Sequence, residues 1–497
     1  MDIFKTGADV QAVISNTQNG NLKQGSNDGV ESNAGCSQEA AHQHTQPGLF
    51  AAGVFGMPHG VSQGETGLRA VIPKALREYE CPPFLTCQAS AASRGFHSTL
   101  PGYRPTPLVK LKSLARELGV GEIHVKDESS RFGLNAFKGL GGSYAIARAI
   151  CEKAGLDADC VRYEDLISEE ARGRAGLLTF ATATAGNHGK GVAWAAGLLG
   201  HKSVVYVPRG TADSRAKAIE SLGARVVVSP FNYDDTVRHC VRDAQSNGWV
   251  LIQDTAWEGY TQIPKWVMQG YTTIVSELRE QLAVEAAMSA PAQPPTPTQK
   301  QVRAEAYVQE AGDETGVPGP QSPTHIFLQA GVGGMAAAVL GCYADCVGKD
   351  YPVSVIVEPD RAACMLVSAA RADGKAHSAF EDERGDLRTM MAGLACGEPN
   401  PLAWEVLRDL ASAYIACSDK VSARGMQVLG SPLGDDPVVV SGESGAVGIG
   451  LLWIICKSPW YSGLRRKLQL NENSVIVFVS TEGDTDPVNY RRIMDGE

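Results

Sequence analysis

Lys138 closes the run Lys126-Asp127-Glu128-Ser129-Ser130-Arg131-Phe132-Gly133-Leu134-Asn135-Ala136-Phe137-Lys138 and is followed by Gly139-Leu140-Gly141-Gly142. The pattern puts the lysine just after a strand and at the opening of a helix. A lysine so placed has the setting of a Schiff-base lysine. Its amine must be partly neutral to attack a carbonyl, and desolvation or neighbouring cationic groups lower a lysine pKa enough for that. An isolated lysine in a first helical turn is usually only a solvated charge. The decision therefore rests on what accompanies it.

Four other segments accompany it. Gly331-Val332-Gly333-Gly334 follows the apolar run Ile326–Leu328 and precedes Ala336-Ala337-Ala338-Val339-Leu340. A glycine turn feeding a helix presents backbone N–H groups and the positive helix end to a phosphate. The spacing is not G-x-G-x-x-G, which speaks against a dinucleotide; a tight packing turn is the plain alternative. Thr182-Ala183-Thr184-Ala185-Gly186-Asn187-His188-Gly189 again joins a strand to a helix start, where hydroxyls and N–H groups suit a substrate carboxylate. The plain alternative is an ordinary helix start capped by Thr184. Asp254 lies in Gln253-Asp254-Thr255-Ala256-Trp257-Glu258-Gly259-Tyr260, at the carboxyl end of an expected strand, where sites of open α/β sheets gather. Desolvation beside Trp257 and Tyr260 would make it a usable base, whereas a cap for the helix near Pro264 is the plain alternative. Finally, Ser480-Thr481-Glu482-Gly483-Asp484 ends a C-terminal strand. A neutral hydroxyl beside a pyridine nitrogen suits elimination better than transamination. Read together, the five segments point to pyridoxal phosphate (PLP).

On these residues the chain resembles the fold-type II PLP enzymes and, within them, the diaminopropionate ammonia-lyases. The matching stretches are Arg131–Gly142, Phe180–Ala196, Asn232–Val237, Trp249–Gly270, Leu328–Gly334, Met391–Pro401, Ser441–Gly448 and Ser480–Asp486. The resemblance implies that Lys138 carries the cofactor and that Gly331, Val332, Gly333 and Gly334 hold its phosphate. It implies that Asn187 contacts the ring oxygen and Thr481, less favourably Ser480, the ring nitrogen. Thr182, Thr184, Ala185, Gly186 and His188 would line the substrate. The family takes both isomers of 2,3-diaminopropionate, with one aspartate for each face. Asp254 occupies the position used for the L-isomer. The position used for the D-isomer is Ala185, which cannot take a proton, so activity on the D-isomer is expected to be lost. The implied reaction is β-elimination of L-2,3-diaminopropionate to pyruvate and ammonia. The altered loop also looks like that of serine and threonine dehydratases. A dehydratase, a β-replacement synthase and a non-catalytic PLP-binding protein are the alternatives.

The elements that must position these residues follow an α/β pattern. Strands are expected at Ile123–Lys126, Leu177–Ala181, Ser203–Val207, Arg225–Ser229, Trp249–Gln253, His325–Gln329, Val353–Val357 and Ser474–Val479. Amphipathic stretches lie between them; Tyr271, Ile274, Val275, Leu278 and Leu282 fall at helical spacing. The expected architecture is two α/β domains of open, mostly parallel twisted sheets flanked by helices, with PLP between them. The large domain would take 49–141 and 265–497, and the small one 142–264.

Two segments stand apart. Residues 1–48 are polar, contain no Tyr, Trp or Arg, and are expected to be a disordered tail. The seven prolines at 291, 294, 295, 297, 318, 320 and 323 mark a disordered insertion over 287–323. A net charge of −10 offers no basic surface for nucleic acid. No apolar stretch approaches the roughly 20 residues that span a bilayer. With no secretory or Arg-rich presequence pattern, a cytoplasmic address is expected, and the resemblance implies a homodimer. Twelve cysteines lack metal-type spacing, so no metal is expected and reduced thiols are the simplest reading. Cys342 and Cys346 stand four apart on a helix, Cys81 and Cys87 flank a Pro-Pro turn, and Cys364 and Cys396 are candidates to meet in space.

Overall fold

The computed structural model describes residues 66–73, 78–184, 186–289 and 322–496. The expected tail at 1–48, most of the proline-rich insertion, and Ala185 lie outside the described residues. The helix Thr273–Ser289 continues through 287–289, the first three positions of the expected insertion.

Eleven strands form two sheets among the described residues: β1 (Arg69–Val71), β2 (Leu108–Lys110), β3 (Glu122–Asp127), β4 (Thr179–Ala183), β5 (Lys202–Val207), β6 (Arg225–Val228), β7 (Val250–Leu251), β8 (His325–Gln329), β9 (Val353–Pro359), β10 (Ala413–Cys417) and β11 (Val475–Ser480). The larger sheet has the order β1-β10-β9-β8-β11-β3-β2. Its five inner strands run parallel, and the short edges β1 and β2 are antiparallel. The smaller sheet, β6-β5-β4-β7, is wholly parallel. Strands covered by helices on both faces read as unbroken apolar runs, as in β8, β10 and β11, every residue of which is buried.

Three strands escape the sequence reading. β1 and β2 are three residues each and too short to show a period, and the alanine-rich β10 shows no alternation. β4 sits two residues later than expected, since its register pairs Thr182 with Val205 and Ala183 with Tyr206.

The carboxyl ends of β3, β4, β7, β8 and β11 lead directly into the five segments singled out above. Register supplies much of this convergence. Ser480 of β11 pairs with Asp127 of β3, so the C-terminal strand end lies beside the start of the Lys138 loop. The two then zip together: Phe137 N–H donates to the Thr481 carbonyl at 3.1 Å, and Gly483 N–H donates to the Asn135 carbonyl at 3.1 Å.

The loop from 128 to 138 carries backbone strain, with left-handed φ at Phe132 (52°) and Asn135 (60°). A buried charge cluster holds it. Arg131 bonds Glu128 through Nε and Nη2 at 2.8 and 2.7 Å, and Glu277 through Nη1 and Nη2 at 2.7 and 2.9 Å. Lys126 Nζ reaches Glu277 at 2.7 Å, and Tyr103 donates its hydroxyl to Glu277 at 2.5 Å. All four charged groups are buried, two of each sign.

One cysteine expectation is corrected. Cys87, opening the helix Cys87–Thr99, is joined in a disulfide to Cys346 near the end of the helix Gly334–Val347, 259 residues away. The sequence neighbours Cys81 and Cys342 are free, as are Cys364 and Cys396. The fold, not local spacing, chooses the pair, whose Cα atoms stand 5.6 Å apart.

Removing one member of a buried ion cluster leaves the others uncompensated, which costs about 3–5 kcal/mol. Glu277→Gln is therefore expected to lower unfolding stability by about that amount in urea titration. A loss below about 1 kcal/mol, the value of an exposed pair, would show that the cluster is not the anchor of this loop.

Candidate active site

Lys138 immediately precedes the helix Gly139–Ala154, at the end of the anchored loop. Its Nζ meets Asp254 Oδ2 at 2.6 Å, with each side chain about a fifth exposed: 20% and 18%. The two residues that carried the sequence argument are thus in direct contact. Asp254 does not cap the following helix; Thr261 occupies that position. The turn around Asp254 is held by Tyr260, whose hydroxyl donates to the Leu251 carbonyl and accepts from Gln253 N–H. Trp257 and Tyr260 stack on each other at 4.2 Å.

Beside this pair lies the glycine loop. Gly333 has φ +86°, which glycine alone adopts cheaply, and it turns the chain from β8 into the helix Gly334–Val347. The first N–H groups of that helix lack partners within it. A Cβ at Gly331 would stand 3.0 Å from Cys396 Sγ and 3.1 Å from the Gly393 carbonyl. Asn400 ties the loop to the acid, its N–H donating to the Val332 carbonyl at 2.9 Å and its Nδ2 to the Asp254 carbonyl at 3.3 Å.

The other expected residues separate into two groups. Asn187 Nδ2 donates to Glu482 Oε2 at 2.6 Å, and Glu482 Oε1 accepts from Ser444 N–H at 3.0 Å. Thr481 Oγ1 accepts from Gln329 Nε2 at 2.8 Å. His188 is buried beside Asp254, its Nδ1 3.9 Å from Oδ2, and its Nε2 bonds the Ile252 carbonyl at 2.9 Å. Thr184 Oγ1 accepts from Gly186 N–H at 3.1 Å, which closes a turn before the helix; the helix cap itself is Gly186, without a side-chain cap bond. Two hydroxyls are engaged within the protein. Thr182 belongs to β4 rather than to the loop after it and is fully buried, with its hydroxyl donated to Gln253 Oε1 at 2.5 Å. Ser480 is buried, and its hydroxyl bonds Ser441 Oγ at 2.8 Å.

The residues fit PLP. A lysine amine, a glycine turn at a helix start and an amide side chain are brought to one place. Three buried polar atoms around them have no close hydrogen-bond partner among the described residues: His188 Nδ1, Tyr271 Oη and Ser444 Oγ. Buried polar atoms are usually paired, and a ligand is one way in which such atoms find partners.

Comparison with known proteins agrees. The family model of the pyridoxal-phosphate dependent enzymes matches residues 99–292. Diaminopropionate ammonia-lyase of Escherichia coli (strain K12) is 47% identical over 415 residues, 84% of this chain and 93% of that protein. The chain belongs to the diaminopropionate ammonia-lyase family. The Salmonella typhimurium (strain LT2) enzyme of that name is 43% identical over 400 residues, 80% of this chain and 90% of its own. The crystal structure of the E. coli enzyme in complex with an aminoacrylate-PLP azomethine reaction intermediate superposes with a TM-score of 0.71 at 44% identity, covering 86% of this chain and 97% of that one. The protein is accordingly a PLP-dependent lyase of the eliminating kind, with fold type II architecture.

Electrostatics of the lyase site centre on the Lys138–Asp254 pair. Burial, the largest single influence, would push the Lys138 ammonium down, but Asp254, with Tyr271 and Cys396, more than offsets it and the pKa is raised. Burial would likewise raise the Asp254 carboxyl; Lys138 and His188 outweigh it and hold the acid well below its ordinary range. His188 is lowered, mainly by burial, and is a neutral ring with Nε2 donating to Ile252. In this charge state Asp254 is a weak base. Neutralising its lysine partner would remove the chief cause of its acidity.

Four contributors escaped the sequence reading: Tyr271, Glu482, Asn400 and Cys396. Glu482 and Asn400 stand inside runs that match the family, which was their only signal. Tyr271 falls at helical spacing with core residues and carries none.

The linkage signs define a pH test. The depressed Asp254 contributes stability above the unfolded carboxyl value near 4, lost as pH falls toward its lower folded value; the raised Lys138 contributes stability below about 10, lost as pH rises beyond it. Asp254→Asn is expected to destabilise by a constant amount between about pH 5 and 9, and the gap from wild type to narrow below about pH 4. Thermal melts across that range check this. A gap that widens on acidification would contradict the ion pair.

Proposed function

We propose that this enzyme eliminates the β-amino group of L-2,3-diaminopropionate, giving pyruvate and two molecules of ammonia with consumption of one water. The observation that carries the reading is the 2.6 Å contact between Lys138 and Asp254 beside the glycine turn. In this reading Lys138 carries the cofactor, Gly331, Val332, Gly333 and Gly334 receive its phosphate through backbone N–H groups, and Asn187 and Thr481 flank its ring. PLP supplies the electron sink for the charge left at Cα. Asp254 takes the Cα proton, its basicity restored once Lys138 Nζ no longer bears the ammonium charge beside it. Lys138, once released, is the second group able to hold that proton. His188 is buried against Asp254 and limits the side from which water reaches it. Ala185 stands where the family has its second aspartate, so no carboxylate serves the opposite face and the D-isomer is not turned over.

The segments 49–141 with 265–497, and 142–264, serve as large and small domains about this site. The active form is a cytoplasmic homodimer by the same resemblance.

Pyruvate release from the PLP-loaded protein on L- and D-diaminopropionate, L-serine and L-threonine tests the reading. Turnover of the L-diamine alone is the expected result; turnover of serine or threonine in its place would reassign the enzyme as a dehydratase. Lys138→Ala is expected to lose the visible absorbance of lysine-bound cofactor. Asp254→Asn should keep that absorbance while kcat on the L-diamine falls at least about 100-fold, the usual weight of general base catalysis. Ala185→Asp is expected to introduce activity on the D-isomer; its failure to do so would detach stereospecificity from this position.

A further inference from the structure

Tyr271 ends the helix Gln262–Tyr271 and is 1% exposed, yet its hydroxyl makes no close hydrogen bond among the described residues, and the group that acts on it as a hydrogen-bond partner is Lys138. A phenylalanine would fill the same space without the cost of an unpaired hydroxyl. The ring is also tightly placed. It packs on Phe137 at 4.8 Å between centroids, and a Cβ at Gly141 would lie 2.5 Å from Tyr271 Cε1, so only glycine at 141 admits it. Lys138 Nζ lies 5.7 Å from the Tyr271 ring centroid and 5.3 Å from that of Phe137.

The groups acting on Lys138 Nζ are Asp254, Tyr271 and Cys396, with His188 behind Asp254. They differ in what they can donate. A carboxylate only accepts hydrogen bonds, so Asp254 favours the ammonium form. A neutral amine has a lone pair and needs a donor. The His188 Nε2 proton is spent on the Ile252 carbonyl. A Cys396 thiol is a weak donor. The phenol of Tyr271 is the strong one, and burial pushes it up to about 12, so it keeps its proton at working pH.

We propose that Tyr271 is a positioning residue for Lys138: its hydroxyl donates to Nζ when that nitrogen is neutral and accepts from it when it is an ammonium. The lysine is thereby held in one place in both protonation states, and because the bond from the ammonium is the charge-assisted, stronger one, Tyr271 acts with Asp254 to raise the Lys138 pKa. The inference rests on Lys138 being the cofactor lysine, but not on which amino acid is eliminated.

The test follows the rate at which the full-length chain, stripped of cofactor, captures added PLP between pH 6.5 and 9.5, read by the visible absorbance of lysine-bound cofactor. Tyr271→Phe keeps the ring and removes only the donor. It is expected to capture PLP about tenfold faster near neutrality, a shift of about one pH unit toward acid, because the ammonium has lost an acceptor. Replacing Tyr271 with 3-fluorotyrosine keeps shape and hydroxyl while strengthening donation, and should shift the profile toward acid. It also serves if the phenylalanine variant fails to fold. Profiles superimposable on wild type, or lowered equally at every pH, would overturn the proposal. Formation of the lysine-bound band by Lys138→Ala would instead overturn the assignment of Lys138, while shifted capture without pyruvate release would count only against the proposed substrate.

Discussion

The buried cluster of Lys126, Glu128, Arg131 and Glu277 is the constraint on which the site depends. It contains two charges of each sign and almost no solvent, so every member relies on the others. Its purpose lies in what it clamps. The chain leaves β3 at Asp127 and must reach Lys138 through two non-glycine residues of left-handed backbone, each costing of order 1–3 kcal/mol. Such conformations persist only where surrounding bonds over-determine them. Arg131 immediately precedes the first of them, and its guanidinium is held on both edges. Glu277 reaches it from the helix Thr273–Ser289, whose neighbour Gln262–Tyr271 ends in the tyrosine beside Lys138. One ionic knot thus sets the lysine from the loop side and the aromatic wall from the helix side.

That rigidity explains why Lys138 and Asp254 meet at 2.6 Å although they come from segments belonging to different sheets. The geometry is a balance between two opposite demands. Burial favours a neutral amine and a neutral acid; pairing favours both charges, and pairing wins. A base held well below its ordinary range does little chemistry until its partner changes charge. The same contact that stores the acid as carboxylate therefore ties its reactivity to the state of the lysine, so that proton removal waits on engagement of Lys138.

Legibility in the sequence followed the kind of force involved. Lys138, Asp254 and the turn at 331–334 were readable because a lysine, an acid and clustered glycines at strand ends have few structural uses. The eight expected strands were readable from apolar runs. β10 was not, because an alanine-rich strand buried on both faces has no period to detect. The Arg131–Glu277 contact spans 146 residues and the Cys87–Cys346 bond 259, distances at which local pattern says nothing about partners. Thr182 was misplaced for a related reason: a two-residue shift in β4 turns a loop hydroxyl into a buried strand hydroxyl.

Tyr271 shows the limit from the other direction. Its spacing with Ile274, Val275 and Leu278 reads as core, and it is core by burial. What sets it apart is an unmet polar atom, visible only once three dimensions assign partners. His188 Nδ1 and Ser444 Oγ share that property, and all three lie around one lysine or the residues that flank it. Each unpaired group costs about 1–3 kcal/mol in the free protein, a loss that apolar substitutes of similar shape would avoid. Stability alone would remove such atoms. Six other buried polar atoms among the described residues are also unpaired, so an unmet atom does not by itself mark a site; these three count because they stand beside Lys138, Asp254 and the residues that flank them, where donors and acceptors remain available to what binds there.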